Sequence, residues 1–429
     1  MRFAFAAACA AGLLVSSSIA QAALPLPYTV QLQARASIGS GASTFNLPAG
    51  SAFSSATPDI NNNRKVVFKT TVTGSTGFQG IWYGMADPSN ALGSGAMAYA
   101  PNQDIQLSDP TLNNSNFSVF PQTLSSANGI YKYDPGTGNT TLLTNGPLGA
   151  SSWANPRMND SGQVGTRVSF ASGQAYVSYA NPPSNATNIV HATDVAADSN
   201  SPYSFLNTSN FDNNRRIAGR VNVGASFNNA NPDEILLFNP DGTSTLIARD
   251  RDASATSPYF QFDNTTLGMN DNGFVAFISR TTTAASTRSV FLSNGTTDTL
   301  IAAPGSLTTA GTTITSIDNF SPNVNNSNLV VFRATDSAGT IGVFVGDGVT
   351  LQRIARIGDM MQTDIGSFAV NSLGGNPTIN DLGDVAFGGG LGAGGNFIAA
   401  ALVPEPGTTM LLAAFAGGAL ARRSRKNSR

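Results

Sequence analysis

The sequence predicts an all-β fold, a β-propeller of seven blades, or six if the most degenerate of its repeats is dropped. Three observations predict it: a nine-residue turn motif recurs about every 50 residues, a second hairpin follows each copy, and the composition suits strands and turns. Among 429 residues, 44 are Gly and 22 Pro, only 11% are charged, and the helix formers Glu, Lys and Gln are scarce. A period near 50 is that of a propeller blade, and two hairpins supply the four strands that one blade contains.

Residues 1–22 read as a signal peptide. Arg2 supplies the positive start, Phe3 to Val15 the apolar stretch, and Ala20 and Ala22 the small-residue site that directs cleavage before Ala23. The only cysteine, Cys9, lies inside this segment, so the mature chain carries no thiol. The apolar run continues past Cys9 and few residues precede it, which argues against lipidation there.

Residues 23–402 form the propeller. Leu32 to Gly39 (LQARASIG) closely matches Leu351 to Gly358 (LQRIARIG), the strand that ends a repeat. The last repeat runs from Asn396 to Leu402 straight into Val403 and Pro404 and so lacks its own final strand. The N-terminal strand is expected to complete that last blade, clasping the ring and leaving no sheet edge open.

The motif begins at Ile60, Leu112, Met158, Phe211, Met269, Val324 and Ile379. Its clearest copies are MNDNGFVAF from Met269 and INDLGDVAF from Ile379, and its weakest is LNNSNFSVF from Leu112. An apolar residue ends one strand, an Asn or Asp caps the turn backbone, a Gly accepts φ > 0, and Val-Ala-Phe starts the next strand. Asn270 with Gly273 and Asn380 with Gly383 are the full matches; Arg64, Asn116, Arg215 and Asn328 stand where Gly is expected, leaving those turns' type open. The second hairpins are Gly129 to Leu143, Glu234 to Arg249, Ser289 to Ala302 and Gly342 to Arg356, each two apolar strands around an Asp-Gly or Asn-Gly type turn.

Residues 403–429 are an address rather than a domain. Pro404, Glu405 and Pro406 precede an apolar run from Met410 to Ala421, followed by the stop-transfer residues Arg422, Arg423 and Arg425, with Lys426 and Arg429 behind them. As a helix, Thr408 to Ala421 rises about 21 Å, short of a hydrocarbon core of about 30 Å. The expected transmembrane helix is therefore a marginal anchor, and the basic cluster holds its end on the cytoplasmic side.

On these residues the C-terminus resembles the PEP-CTERM sorting signal of Gram-negative bacteria. That resemblance implies recognition by an exosortase, removal of the tail from a precursor anchored transiently in the inner membrane, and delivery to the cell surface or extracellular matrix. The body resembles bacterial surface proteins with tandem N-x-x-G-x-x-A-F repeats upstream of interchangeable anchor signals, carried by Asn270, Gly273, Ala276 and Phe277 and by Asn380, Gly383, Ala386 and Phe387. No activity comes with that class.

The composition also excludes. A formal net charge of −2 offers no basic surface for nucleic acid. One His and one Cys leave no Cys/His metal cluster and no disulfide framework, and no cofactor is expected. His191 falls on a last strand of a repeat and reads as structural. The Asn-Asp-x-Gly turns carry one carboxylate each and miss the ligand ladder of a calcium loop. Asp194, Asp250 and Asp359 come near repeat ends, and their convergence at one rim of a ring is what the minor reading as glycosidase acids requires. Trp82, Tyr83, Trp153 and Tyr203 are the aromatic platforms a glycan-binding surface would use. The resulting expectation is an exported, non-enzymatic structural or interaction module, handled by the Sec machinery, signal peptidase and an exosortase. The alternatives are a lectin-like module for exopolysaccharide and a glycoside hydrolase or lyase.

Overall fold

The computed structural model describes residues 24–36, 44–53, 55–72, 79–101, 106–123, 127–147, 149–179, 188–228 and 230–404. The signal peptide with Ala20 and Ala22, and the tail residues Glu405, Pro406, Arg422, Arg423 and Arg425, lie outside them. The chain is a seven-bladed β-propeller. Seven antiparallel sheets follow one another in the chain, joined by an extra two-stranded hairpin of Met360–Thr363 and Gly366–Ala369. Among the described residues, no helix is long and apolar enough to cross a membrane.

The blades repeat one plan. In blade 5, the inner strand comes in two pieces, Gln261–Phe262 and Gly268–Met269, then the motif turn, then Val275–Arg280, Arg288–Ser293 and the outer strand Asp298–Ala302. Blades 1, 2 and 6 split their inner strands likewise, while blades 3, 4 and 7 keep one strand with a register slip at the same place. The outer strand of every blade carries a bulge against the third strand, at Ile81/Trp82, Ile130/Tyr131, Tyr176/Val177, Ile235/Leu236, Val290/Phe291, Val343/Phe344 and, in blade 7, Leu32/Ala34. Each bulge adds twist to the blade's last strand.

Blade 7 is completed as its sequence implies. Thr29–Ala36 pairs antiparallel with Asn396–Leu402, in the order N-terminal strand, Asn396–Leu402, Val385–Gly390, Ser372–Ile379. Closure does not abolish every edge, because the outer strands of blades 1 to 6 stay partly exposed, whereas that of blade 7 is buried from Gln31 on. It is the bulges that blunt those edges. The N-terminal lead-in is tied to blade 6 by a two-way amide clasp, Leu26 N donating to Gln352 Oε1 and Gln352 Nε2 donating to Leu26 O, both at 2.6 Å. The extra hairpin covers the outer face of this strand through Arg35, whose Nε lies 2.5 Å from Asp364 Oδ1.

The core lies between blades. The motif's closing residue puts Phe68, Phe120, Phe277, Phe332 and Phe387 inside, all 2% exposed or less. Blade 4 has Gly219 at this position, and the gap is filled from blade 3: the Tyr176 ring lies where a Cβ on Gly219 would sit. Its hydroxyl donates to Asn207 O at 2.8 Å and Arg220 O at 3.2 Å.

Candidate functional site: the polar rings of the central channel

The motif turns gather at one mouth of the channel. In all seven, the motif Asn or Asp (Asn61, Asn113, Asn159, Asp212, Asn270, Asn325, Asn380) is buried, and its Oδ1 accepts the backbone N–H four residues on, at 2.7–3.0 Å. The residue three after it sits at positive φ whether or not it is glycine: Arg64 57°, Asn116 71°, Gly162 80°, Arg215 63°, Gly273 82°, Asn328 62° and Gly383 89°. The turn type left open by sequence is therefore one type throughout. The non-glycine residues use their side chains across blades. Arg64 Nε meets Asp384 Oδ2 at 3.0 Å and its Nη2 donates to Val403 O at 2.7 Å, while Asn116 Oδ1 and Asn328 Oδ1 accept from Asn61 Nδ2 and Asn270 Nδ2.

Two hydrogen-bonded circuits run around this mouth. In the inner one, Nδ2 of Asn61, Asn113, Asn270, Asn325 and Asn380 donates to the carbonyl of the next blade's motif residue at 2.8–3.0 Å, Asn380 reaching back to Asn61. It is interrupted where Asn159 turns to Gln163 and where Asp212 has no N–H to give. There Arg216, paired to Asp212 at 2.6 Å, donates to Asp271 O instead.

The outer circuit is unbroken. The residue after each motif position (Asn62, Asn114, Asp160, Asn213, Asp271, Asn326, Asp381) donates its backbone N–H to Oδ1 of the same position in the next blade, at 2.7–3.0 Å, and Asp381 closes onto Asn62. Amides and carboxylates alternate except where Asn62 adjoins Asn114, so every Asp lies between two amides and its Oδ2 accepts from the carboxamide on both sides. Asp160 takes Asn114 and Asn213, Asp271 takes Asn213 and Asn326, and Asp381 takes Asn326 and Asn62, at 2.8–3.2 Å. Each carboxylate thus receives three N–H donors, which satisfies the charge within the ring.

Deeper in, Asp59 accepts from Ile60 N and Leu112 N at 3.1 and 2.8 Å, and burial holds its carboxyl above the usual range against the pull of Arg157. A rear tier contains Thr57, Asp109, Asn155, Thr266, Ser321 and Asn376. There Thr266 N donates to Ser321 Oγ at 2.8 Å and Ser321 N to Asn376 Oδ1 at 2.9 Å. The free space is about 140 Å³ at the motif mouth and about 80 Å³ at the rear tier. Both fall below the roughly 300 Å³ of small-molecule sites and suit waters. Among the described residues no three His, Cys, Asp or Glu side chains group as metal ligands. What this arrangement does chemically is join blades.

The other residues singled out by sequence are dispersed. Asn270 with Gly273 and Asn380 with Gly383 stand in the circuits. Asp194, Asp250 and Asp359 do not converge. They follow the outer strands of blades 3, 4 and 6, so radial geometry spreads them around the perimeter, and each closes its own loop by accepting from Ala197 N, Ala253 N and Arg356 N at 2.9–3.0 Å. Burial, with Asp233 and Asp252 beside it, pushes the Asp250 carboxyl up to about 6. His191 is buried between blades, Nδ1 3.1 Å from Asn239 O and Nε2 2.8 Å from Ser178 Oγ, and burial with Arg215 nearby lowers its pKa to about 4. Trp82 and Trp153 are core, donating to Phe45 O and Gly146 O. Tyr83 donates to Asn116 O, and Tyr203 packs edge-on to Phe238. Among the described residues the exposed aromatic is Phe227, 56% accessible, which no motif marked. The alternating outer circuit was also missed. Its signal was in plain view as Asn-Asn, Asn-Asp and Asp-Asn pairs, but alternation has meaning only once the repeats are arranged in a circle.

Several solved structures are similar to this chain at low identity. A puromycin-hydrolyzing peptidase of Mycobacterium tuberculosis is 11% identical over 83% of this chain and 52% of its own, with a TM-score of 0.48. PorZ, a surface component of the type-IX secretion system of Porphyromonas gingivalis, is 11% identical over 84% and 47%, with a TM-score of 0.46. A sialidase of Trypanosoma rangeli is 9% identical over 88% and 60%, with a TM-score of 0.40. The chain therefore spans about half to three fifths of these proteins. No curated protein matches the sequence. The model of a family described as "Family of unknown function (DUF7453)" matches residues 158–401, from the third motif turn through the closing blade. That span is more than half of the chain, and the protein belongs to the DUF7453 family.

Proposed function

We propose that this protein is an exported, non-enzymatic structural or interaction module, sorted by its C-terminal tail and released to the cell surface or extracellular matrix by an exosortase. The observation that carries the reading is what the repeated polar residues are used for. The seven motif turns place their side chains in blade-to-blade hydrogen bonds, and the channel they surround is smaller than a substrate. The order of Pro404, Glu405, Pro406, an apolar run and a basic end supports the sorting step. So does the place where the last described strand stops. The final strand ends at Leu402 and Val403 N donates to Asp384 Oδ1 at 2.7 Å, so every described strand lies before residue 405.

Deleting residues 403–429 and fractionating cells tests the sorting step. The truncated protein is expected to accumulate in the periplasm and disappear from the surface and matrix fractions. Unchanged surface delivery would overturn the reading.

A further inference from the structure

Between blades 4 and 5, a groove of about 500 Å³ opens at the strand ends remote from the motif turns. It is several times larger than the channel space and within the range of sites that hold a sugar. Phe205 and Phe227 form one wall, ring centroids 5.0 Å apart, with Phe227 mostly exposed. An apolar ring at that exposure has no core to serve, and it presents the flat surface against which the C–H face of a sugar packs.

The opposite wall is cationic. Arg280 and Arg288 are direct cross-strand partners, and both guanidiniums bind the single carboxylate of Asp263, at 3.0 and 2.8 Å. Like charges placed opposite one another repel, and one carboxylate neutralises only half of this pair. Arg280 Nε is buried with no hydrogen-bond partner. Arg220 lies behind, donating to Phe262 O, Asn207 Oδ1 and Asn264 Oδ1 at 2.8–3.0 Å, with Asp233 Oδ2 at 3.6 Å. Asp318 stands near Arg288 but is itself paired to Arg333 at 3.2 Å. Among the residues lining the groove, three guanidiniums therefore face two carboxylates, on a chain that is net acidic, while Asp250 and Asp252 stand behind Asp233. Gln261, Asn264 and Asn319 add amides able to meet hydroxyl groups.

We infer that this groove binds an acidic sugar residue of a polysaccharide, a uronate, with its carboxylate on Arg280 and Arg288 and its ring against Phe227. The vacant N–H groups of the two guanidiniums supply the charge-assisted hydrogen bonds that a second carboxylate completes. This deepens the matrix reading proposed above by naming the polymer chemistry such a module would hold. It rests on that reading for its biological setting only, since binding is measured on purified protein and sorting in cells.

The test is calorimetric titration of the full chain with tetragalacturonate, its methyl ester and a neutral maltotetraose. Binding of tetragalacturonate alone is expected, weakening with salt. Arg288→Gln leaves Asp263 paired to Arg280 and is expected to weaken it about tenfold or more. Phe227→Ala, at an exposed position, is expected to weaken it several-fold with an unchanged melting temperature. Equal binding of ester and acid, binding indifferent to both substitutions, or no binding of the acid at millimolar concentration would overturn the proposal, whatever the outcome of the sorting test.

Discussion

His191 and Asp250 titrate in the same pH window with opposite consequences. The pKa of His191 is lowered to about 4 in the fold against about 6.5 unfolded, so the unfolded chain binds the proton first. Its contribution is full above pH 6.5 and is lost as pH falls toward 4. The Asp250 carboxyl is raised to about 6 against about 3.9 unfolded, so the folded chain binds the proton first. Its contribution is full below pH 3.9 and is lost as pH rises through 6. Between pH 4 and 6 the two slopes oppose, each at most about 1.4 kcal/mol per pH unit. Denaturant unfolding of His191→Gln and Asp250→Asn across this window is expected to separate them, stability falling with pH relative to wild type in the first variant and rising in the second. Identical pH dependence in both would refute the assignment. Sequence identified both positions and raised, as a minor alternative, a rim that Asp250 would share with Asp194 and Asp359. What it could not supply was radius: an outer strand ends at the perimeter, where neighbours in other blades are far away.

At the scale of the element, the motif turn is a single conformation accommodating different side chains. A non-glycine residue in the left-handed region costs about 1 kcal/mol, and Gly162 and Gly273 separate that backbone cost from crowding. A Cβ on Gly162 meets nothing within 4 Å, whereas one on Gly273 lies 2.9 Å from Arg216 Nη1. Gly162→Ala is expected to cost about 1 kcal/mol. Gly273→Ala should cost more, because Arg216 holds Asp212 and Asp271 O and must shift; thermal melts of the two give the difference, and equal melting temperatures would contradict it. The strands, turns and period were readable from sequence because they are local, carried by Asn caps and alternating apolar residues. The compensations were not. Nothing near Gly219 announces that Tyr176, more than forty positions earlier, fills its place, and nothing near Arg64 announces Asp384 and Val403 as its partners.

At the scale of the whole molecule, the two ends of the described chain are joined by contacts of different kind, and three of them stand for the rest. The strand pairing of Thr29–Ala36 with Asn396–Leu402 closes the sheet. The bond from Asp381 N to Asn62 Oδ1 closes the outer circuit, and Arg64 to Asp384 closes the salt-bridged contact between blades 1 and 7. The first of these was legible because the N-terminal strand repeats the sequence of a blade's last strand, and the other two follow once the ring exists. The pairing carries most of the weight. Leu32, Ala34, Ile398, Ala399 and Ala400 are all 1% exposed or less, and taking away their partner strand uncovers apolar surface along with a row of ladder N–H and C=O groups. Removing residues 24–36 should therefore lower the melting temperature markedly and produce a protein that associates through the bared strand Asn396–Leu402. Calorimetry together with light scattering of the truncated chain checks this, and a monomer melting at the wild-type temperature would mean that blade 7 stands on three strands and that the ring owes its closure to the polar circuit alone.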